Sequence, residues 1–374
     1  MATDIEAVPH ARAAATVMKL LPHPPRLITV RGPAHADTTS PELRDDLFRR
    51  LAEREGHRTI AIEGDGVRAT VVDDYVRWGR GTLDEAVRAM ETMRATVAGR
   101  YGPSGHGSGA PGGGRALVRW MRAHNEGRPA GERLRFAGIG GPLESHGPAS
   151  PRQALTALHG HLAARMEADR LPCTAARLDL LLGADERWTE PAALTDPARS
   201  VGQSADAMEL RLLADDMEAL LDEWTPLGTP GAWDGRIGRG ALDGRTGPGA
   251  WDGHGHSGPD ARDGRDRARL YARTATGLLR RHYWMADTSP DRATRLVGLR
   301  DQMTAADLIA LAERGPALVY ARNRPLQRGR GAMRMSDLPL AWWSAGVMVG
   351  ARLGGGRAAG RADGLRRARP GGLA

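Results

Sequence analysis

The chain's organisation is first visible in the segment Arg26-Leu-Ile-Thr-Val-Arg-Gly-Pro-Ala-His-Ala-Asp37. Its apolar run from Leu27 to Val30 predicts a buried strand, which breaks at a Gly-Pro pair and leaves His35 in the loop beyond it. A second run, Arg58-Thr-Ile-Ala-Ile-Glu63, predicts another strand. Because open α/β sheets bind ligands at the carboxyl ends of their strands, His35 and Glu63 are candidate site residues.

The segment between these strands carries the signals of a helix. Ser40 suits the N-cap, Pro41 the first helical position, and Gly56 the stop. A strand, a helix and a strand joined by short connections predict a right-handed βαβ unit whose two strands are parallel neighbours. Arg44 falls in the first turn of this helix, so we expect it near the same sheet edge as Glu63.

Later segments predict further strands and helices, and thereby an α/β fold. A capping-box pattern, Thr82-Leu-Asp-Glu85, opens a helix that runs to about Gly99. Apolar residues recur at helical spacing from Pro151 to Trp224, which predicts amphipathic helices. Two histidines in this part, His159 and His161, are two residues apart and are expected to face different directions. The other predicted elements are helices at Arg115–Asn125, Arg265–Met285 and about Pro290–Arg314, and strands at Leu134–Ala137 and Ala317–Ala321.

A nine-residue repeat interrupts the helical pattern. Gly-Ala-Trp-Asp-Gly occurs at 231–235 and 249–253, with Gly-Ala-Leu-Asp-Gly at 240–244 between them. A repeat this short and glycine-rich cannot bury a core, which predicts a disordered insertion. The predicted plan is an α/β core running into a helical lobe over 1–225, the insertion at 226–264, completion of the same domain at 265–353, and a solvated Gly/Arg tail at 354–374. A truncated or frame-disturbed end is one hypothesis for this tail.

Composition and charge narrow the class of protein. The 374 residues carry a formal net charge of +8, but the arginines are interspersed with carboxylates, which does not favour nucleic acid as the main partner. The single cysteine, Cys173, excludes an internal disulfide and a cysteine-based zinc site, and we expect it to be a small buried side chain. No apolar run reaches the length of a membrane span, and no signal-peptide pattern opens the chain. We therefore expect a cytoplasmic protein without membrane partners.

The candidate chemistry is what remains after common catalytic motifs are excluded. The sequence contains no G-x-S-x-G elbow, no Walker motif and no H-E-x-x-H pair. There remain His35, Arg44 and Glu63, with Arg322 and Asn323 directly after the fourth predicted strand. A neutral imidazole can activate water as a general base, and an arginine can hold an acyl oxygen or a substrate carboxylate. No cofactor and no metal site is predicted.

Five short motifs follow one another in a recognisable order. They are Gly32-Pro-Ala-His35, Glu42-Leu-Arg44, Ala61-Ile-Glu63, Tyr75-Val-Arg77 and Arg300-Asp301. In order and spacing they resemble motifs of the erythromycin esterase family, whose first strand is followed by Gly-Glu-x-Thr-His-Gly and whose late motifs are Arg-Asp-x-x-Met-Ala-x-Asn and Ala-His-Asn-x-His. The resemblance spans roughly residues 20 to 353, and the ordered series is more specific than any one motif.

The resemblance implies an architecture, a reaction and residue roles. The architecture is α/β, with a central, mostly parallel sheet flanked by helices and a helical lobe beside the cleft. The reaction is hydrolysis of a carboxylic ester or macrolide lactone by water, without a covalent intermediate, so the expected partner is a small-molecule ester or lactone. By this resemblance His35 is the base, Glu63 polarises or holds water, Arg44 positions the substrate, and Tyr75, Arg322 and Asn323 bind it.

The chain also departs from the family pattern at polar positions. Gly32 stands where the family has glutamate, and Ala34 where it has threonine. Both late histidines are replaced, by Arg322 and Pro325, and Asp307 replaces an asparagine. The alternative is therefore a catalytically inactive relative that keeps the cleft and binds a small molecule or a protein partner there.

Overall fold

The computed structural model describes residues 26–31, 41–98, 114–141, 148–227, 259–321, 326–327, 329–335, 338–353 and 359–361. These residues form seven strands and eleven α-helices. The strands are β1 (Leu27–Arg31), β2 (Thr59–Gly64), β3 (Arg135–Gly140), β4 (Ala317–Ala321), β5 (Arg330–Met335), β6 (Leu338–Trp343) and β7 (Ala359–Arg361). The helices are α1 (Pro41–Arg54), α2 (Gly66–Trp78), α3 (Leu83–Ala98), α4 (Arg115–Asn125), α5 (Arg152–Ala163), α6 (Ala175–Leu182), α7 (Glu186–Thr189), α8 (Ala205–Leu227), α9 (Pro259–Met285), α10 (Arg292–Arg314) and α11 (Ala345–Leu353).

The main sheet is parallel and has the strand order β3-β2-β4-β1-β7. Strand β4 occupies the centre, where Ala317 lies opposite Leu27 of β1 on one side and Thr59 of β2 on the other. The prediction that β1 and β2 are parallel is confirmed, but the prediction that they are neighbours is wrong. The reason is that β4 is almost wholly buried and apolar, so it is stabilised at the centre of a sheet covered on both faces.

Most predicted elements are present, and their local signals are made as expected. The capping box is confirmed, because the Thr82 hydroxyl accepts from the Glu85 N–H at 3.2 Å and Glu85 Oε2 accepts from the Thr82 N–H at 2.7 Å. Helix α2 begins at the carboxyl end of β2, where Asp65 caps it, and it ends at Trp78, after which Gly79 forms the C-cap with a positive φ of 68°. This helix therefore runs back along the sheet, away from the carboxyl edge.

A helical lobe stands beside the sheet and has its own apolar core. Helices α5, α6, α8 and α9 contribute buried side chains to it, around the fully buried Trp188. His159 is buried there and its Nε2 lies 2.9 Å from the Cys173 carbonyl oxygen, whereas His161 lies beside Arg165, so the expected divergence of the two histidines is confirmed. Cys173 is only half-buried, against the edge of this core.

Some segments differ from the sequence-based expectation. Of the predicted insertion at 226–264, residues 226–227 end α8 and residues 259–264 form the first turns of α9, while residues 228–258 lie outside the described residues. Strands β5 and β6 form an antiparallel hairpin that was not predicted. Residues Ala359–Arg361, assigned to the tail, pair with β1.

Candidate active site

Glu63 and Arg300 meet at the carboxyl edge of the sheet. Glu63 is the penultimate residue of β2, and Arg300 reaches it from α10 with Nη2 3.8 Å from Oε1. The two side chains are 12% and 15% exposed, so the pair is shielded but reachable. A guanidinium in this position can hold the negatively charged oxygen of an acyl group.

Helix α10 presents one polar face to the ends of β2 and β3. Arg300, Thr304 and Asp307 recur at spacings of four and three residues, which places them on the same face. Asp307 Oδ2 accepts from the Gly140 N–H at 3.1 Å, at the end of β3. Burial raises the pKa of Asp307, and the charge of Arg273, whose Nη2 lies 3.4 Å from Oδ1, acts against this rise. The substituted Asp307 thus fixes α10 to the sheet edge.

A buried polar contact holds the other side of α10. Asp301, next to Arg300, accepts from the Trp342 indole N–H at 2.8 Å, and both side chains are buried. Trp342 belongs to β6, so the unpredicted hairpin braces the helix that carries Arg300. The Arg-Asp motif therefore has one residue directed to Glu63 and one directed to the hairpin.

Arg44, in the first turn of α1, is buried beside the end of β4. It is 1% exposed, its Nε donates to Asp45 Oδ1 at 2.8 Å, and its guanidinium carbon lies 5.4 Å from the centre of the Tyr320 ring. Tyr320 is in β4 and pairs with Ile62 of β2, the residue before Glu63. Burial raises the pKa of Asp45 to about 6, although Arg44 opposes that rise. In this position Arg44 supports the Tyr320 ring and contacts Asp45.

The other predicted site residues are not brought to Glu63 within the described part of the chain. Tyr75 lies in the last turn of α2, nine residues after Gly66 and so roughly 13 Å along the helix axis from its start, half-buried against the main core. His35, Arg322 and Asn323 lie outside the described residues. Their neighbours do reach the edge: β1 ends four residues before His35, and β4 ends immediately before Arg322.

Two further observations concern metal ions and membranes. Among the residues that the structure describes, no three His, Cys, Asp or Glu side chains are grouped so that they could hold a metal ion. None of the helices in these ranges is long and apolar enough to cross a membrane.

Arg300 is a candidate site residue that was missing from the predicted set. Its signal was present, since Arg300-Asp301 was recognised as a late motif. Its contact is with a residue more than two hundred positions earlier in the chain, which local patterns do not reveal.

Comparison with known proteins identifies the family and agrees with the fold. The family model described as "Erythromycin esterase" matches residues 52–359, which is more than half of the chain. The protein belongs to the erythromycin esterase family. Among curated proteins, none matches the chain by sequence.

Two solved structures share the fold at low sequence identity. A protein from Bacillus cereus has a TM-score of 0.54 and 14% identity, over 92% of this chain and 72% of that one. A mutant of the erythromycin esterase EreC in its open conformation has a TM-score of 0.51 and 14% identity, over 90% of this chain and 70% of that one. Both likenesses concern the fold.

Proposed function

We propose that this protein hydrolyses a carboxylic ester or a macrolide lactone with an activated water molecule. The observation that carries the proposal is the Glu63–Arg300 pair, which sets a carboxylate and a guanidinium together at the carboxyl edge of a parallel sheet. Membership of the erythromycin esterase family supports the reaction class. We propose the residue roles and the substrate class together with the reaction.

In the proposed reaction, His35 takes a proton from water and the resulting hydroxide adds to the carbonyl carbon. The negative oxygen of the tetrahedral intermediate faces Arg300, which stabilises it. The intermediate then breaks its carbon–oxygen bond to the alcohol, and that oxygen receives the proton from the His35 imidazolium. The products are a carboxylic acid and an alcohol, which remain joined in one molecule when the substrate is a lactone.

The other candidate residues have supporting roles in the proposed reaction. Glu63 orients the attacking water and stabilises the imidazolium of His35. Arg44 acts through Tyr320, because its guanidinium is buried against that ring and paired with Asp45. Arg322 and Asn323 are proposed to bind the substrate on the strength of their position directly after β4. Tyr75 is retained only as a residue that shapes the core behind the site.

The test is mass spectrometry of erythromycin, other macrolides and simple esters after incubation with purified protein. The proposal predicts a product heavier by one water with the unmodified protein and none with His35→Ala. His161→Ala is the matched control, since His161 lies in the lobe beside Arg165, and it should leave the yield unchanged. Equal turnover by His35→Ala would remove His35 as the base.

One observation favours a second candidate, an inactive relative that binds a ligand in the cleft. Arg44, which the family resemblance assigns to the substrate, is 1% exposed and bonded to Asp45. If the folded protein yields no product from any compound of the panel, macrolides that raise its melting temperature would identify this candidate, because a ligand that binds only the folded state stabilises it.

A further inference from the structure

A polar cavity lies along the open edge of β3, and Glu63 is not part of its lining. It has a volume of about 310 Å³ and is walled by α2, α9 and α10. Its described lining includes six arginines and five aspartates, a formal charge of +1. Asp263 of α9 also lines the cavity, and it pairs with Arg77 of α2 and with Arg135 of β3. The cavity therefore lies between the sheet and the helical lobe.

The backbone of β3 supplies a hydrogen-bond donor to this cavity. The Arg135 N–H bonds to Arg58 on the β2 side, so the alternate residues Phe136, Gly138 and Gly140 direct their N–H groups to the open edge. Asp73 accepts from Phe136 at 2.9 Å and Asp307 accepts from Gly140 at 3.1 Å. Gly138 lies between them on the cavity wall, and no described carboxylate accepts from its N–H.

The buried atoms left without partners here are donors. Arg77 is 2% exposed, and its Nε has no hydrogen-bond partner among the described residues. The same holds for the Nε of Arg273, which also lines the cavity. No carboxylate oxygen of the described lining is in that state. A buried donor without an acceptor is costly, so the missing partner must be a group that accepts hydrogen bonds.

The charges around the cavity also favour a negatively charged ligand. Burial lowers the pKa of Arg314, and the nearby charges of Arg135 and Arg273 lower it further, although Asp266 at 2.9 Å acts in the opposite direction. Three guanidinium groups thus interact across one small space. Two of the five aspartates, Asp73 and Asp307, are already engaged by backbone amides of β3.

From this arrangement we propose that the cavity binds a small, multiply charged oxyanion. The ligand accepts from the Gly138 N–H, from the Nε groups of Arg77 and Arg273 that have no described partner, and from the guanidinium groups of Arg135 and Arg314. Charge-assisted hydrogen bonds of this kind are short and strong, and arginine holds both phosphate and carboxylate groups in a bidentate manner. The shared chemistry is that of a phosphate group on a small metabolite or the paired carboxylates of a di-acid. Asp307 borders both sites, but Glu63 and Arg300 do not line this cavity, and anion binding here does not require the esterase activity.

The experiment measures binding of inorganic phosphate and of malonate to the full chain by calorimetry and thermal shift. Sodium chloride at equal ionic strength is the reference. Phosphate or malonate should raise the melting temperature above that reference, and the stronger of the two indicates the source of the anion. Arg135→Gln should weaken binding at least tenfold, which corresponds to the loss of about one charged hydrogen bond. Arg177→Gln, which breaks the exposed pair with Glu209 in the lobe, is the matched control and should bind as the unmodified protein does.

A second variant tests the opposite direction. Asp266→Asn removes the carboxylate that competes for Arg314, so it should tighten phosphate or malonate binding several-fold. Arg273→Gln replaces Arg135→Gln if the latter fails to fold. Equal stabilisation by chloride, phosphate and malonate would overturn the proposal and leave the cluster as an ionic clamp between α9 and the sheet. Unchanged affinity in both Arg135→Gln and Asp266→Asn would overturn it as well.

Discussion

Arg300 Nη2 lies 3.8 Å from Glu63 Oε1, although the two residues are far apart in the chain. Helix α10 brings the guanidinium to the end of β2, while Asp301 and Asp307 fix that helix to the hairpin and to β3. A cation and a carboxylate are thereby held at the sheet edge by contacts on either side of them.

The first prediction concerns the Glu63 carboxylate. Glu63→Gln keeps the shape of the side chain but removes its charge, so kcat/KM for ester hydrolysis should fall about a hundredfold or more, the usual scale for losing an acid–base group. Steady-state kinetics on the substrate found by mass spectrometry would measure this. Glu209→Gln, at an exposed ion pair of the lobe, is the control. Equal kcat/KM in the two variants would contradict a role for Glu63.

The second prediction concerns the brace between α10 and the hairpin. Trp342→Phe leaves the buried Asp301 carboxylate without the indole N–H, so the free energy of unfolding should fall by about 1–3 kcal/mol. Trp343→Phe changes the adjacent indole, which is 56% exposed and contacts Arg330, and should cost less than about 1 kcal/mol. Urea unfolding of both variants decides this. Equal losses would mean that the contact with Asp301 adds nothing measurable.

The structure also explains why the sequence predicted some features and missed others. Strand β4 and helix α4 were predicted at their observed bounds, because a bounded apolar run and a helical period are local signals. The position of β4 between β1 and β2 was missed, since strand order depends on contacts that no local pattern encodes. The hairpin was missed because Arg330-Gly-Ala-Met-Arg-Met lacks a clear alternation of apolar and polar residues.

The site was predictable to a similar degree. The position of Glu63 at the sheet edge was predicted because it lies at the end of a strand. Arg300 was seen as part of a motif but not as its partner, because the contact crosses the fold. Arg44 was placed at the correct edge, yet its burial against Tyr320 depends on the neighbouring strand. The direction of α2, which carries Tyr75 away from the edge, follows from its start directly after β2.

The third prediction concerns close packing at β3. A Cβ at Gly138 would lie 2.8 Å from the Asp65 carbonyl oxygen and 2.9 Å from the Gly66 Cα, so Gly138→Ala should cost about 1–3 kcal/mol. Gly160, within α5, has no atom within 4 Å of such a Cβ, and Gly160→Ala should stabilise by about 0.5–1 kcal/mol. Thermal or urea unfolding would show shifts of opposite sign. A stabilised Gly138→Ala protein would contradict the described packing.

The fourth prediction concerns pH and His282. Burial lowers the pKa of this histidine from 6.5 to about 4, although its Nε2 lies 2.8 Å from the Ala149 carbonyl oxygen. The folded pKa is below the unfolded value, so this contribution is complete above about pH 6.5 and is lost as the pH falls towards 4. The loss at pH 4 should reach roughly 3 kcal/mol. His282→Gln should flatten that part of the pH profile of unfolding free energy, and an unchanged profile would contradict the assignment.

The fifth prediction concerns Asp45 and has the opposite sign. Burial raises its pKa to about 6, so the folded state binds a proton more tightly than the unfolded state does. Its contribution is present below about pH 4 and is lost as the pH rises through 6. Asp45→Asn should therefore reduce the pH dependence between 4 and 6 in the direction opposite to His282→Gln. The two unfolding profiles are compared directly, and a shift of the same sign would contradict this account.

We propose that the protein adds water to an ester or lactone at the edge marked by Glu63 and Arg300. The most direct test is turnover of the macrolide and ester panel in water enriched in heavy oxygen, followed by mass spectrometry of the products. We expect one heavy oxygen in the carboxylic acid group and none in the alcohol, with turnover reduced about a hundredfold or more in Glu63→Gln. Absence of any labelled acid from the folded, unmodified protein would contradict it.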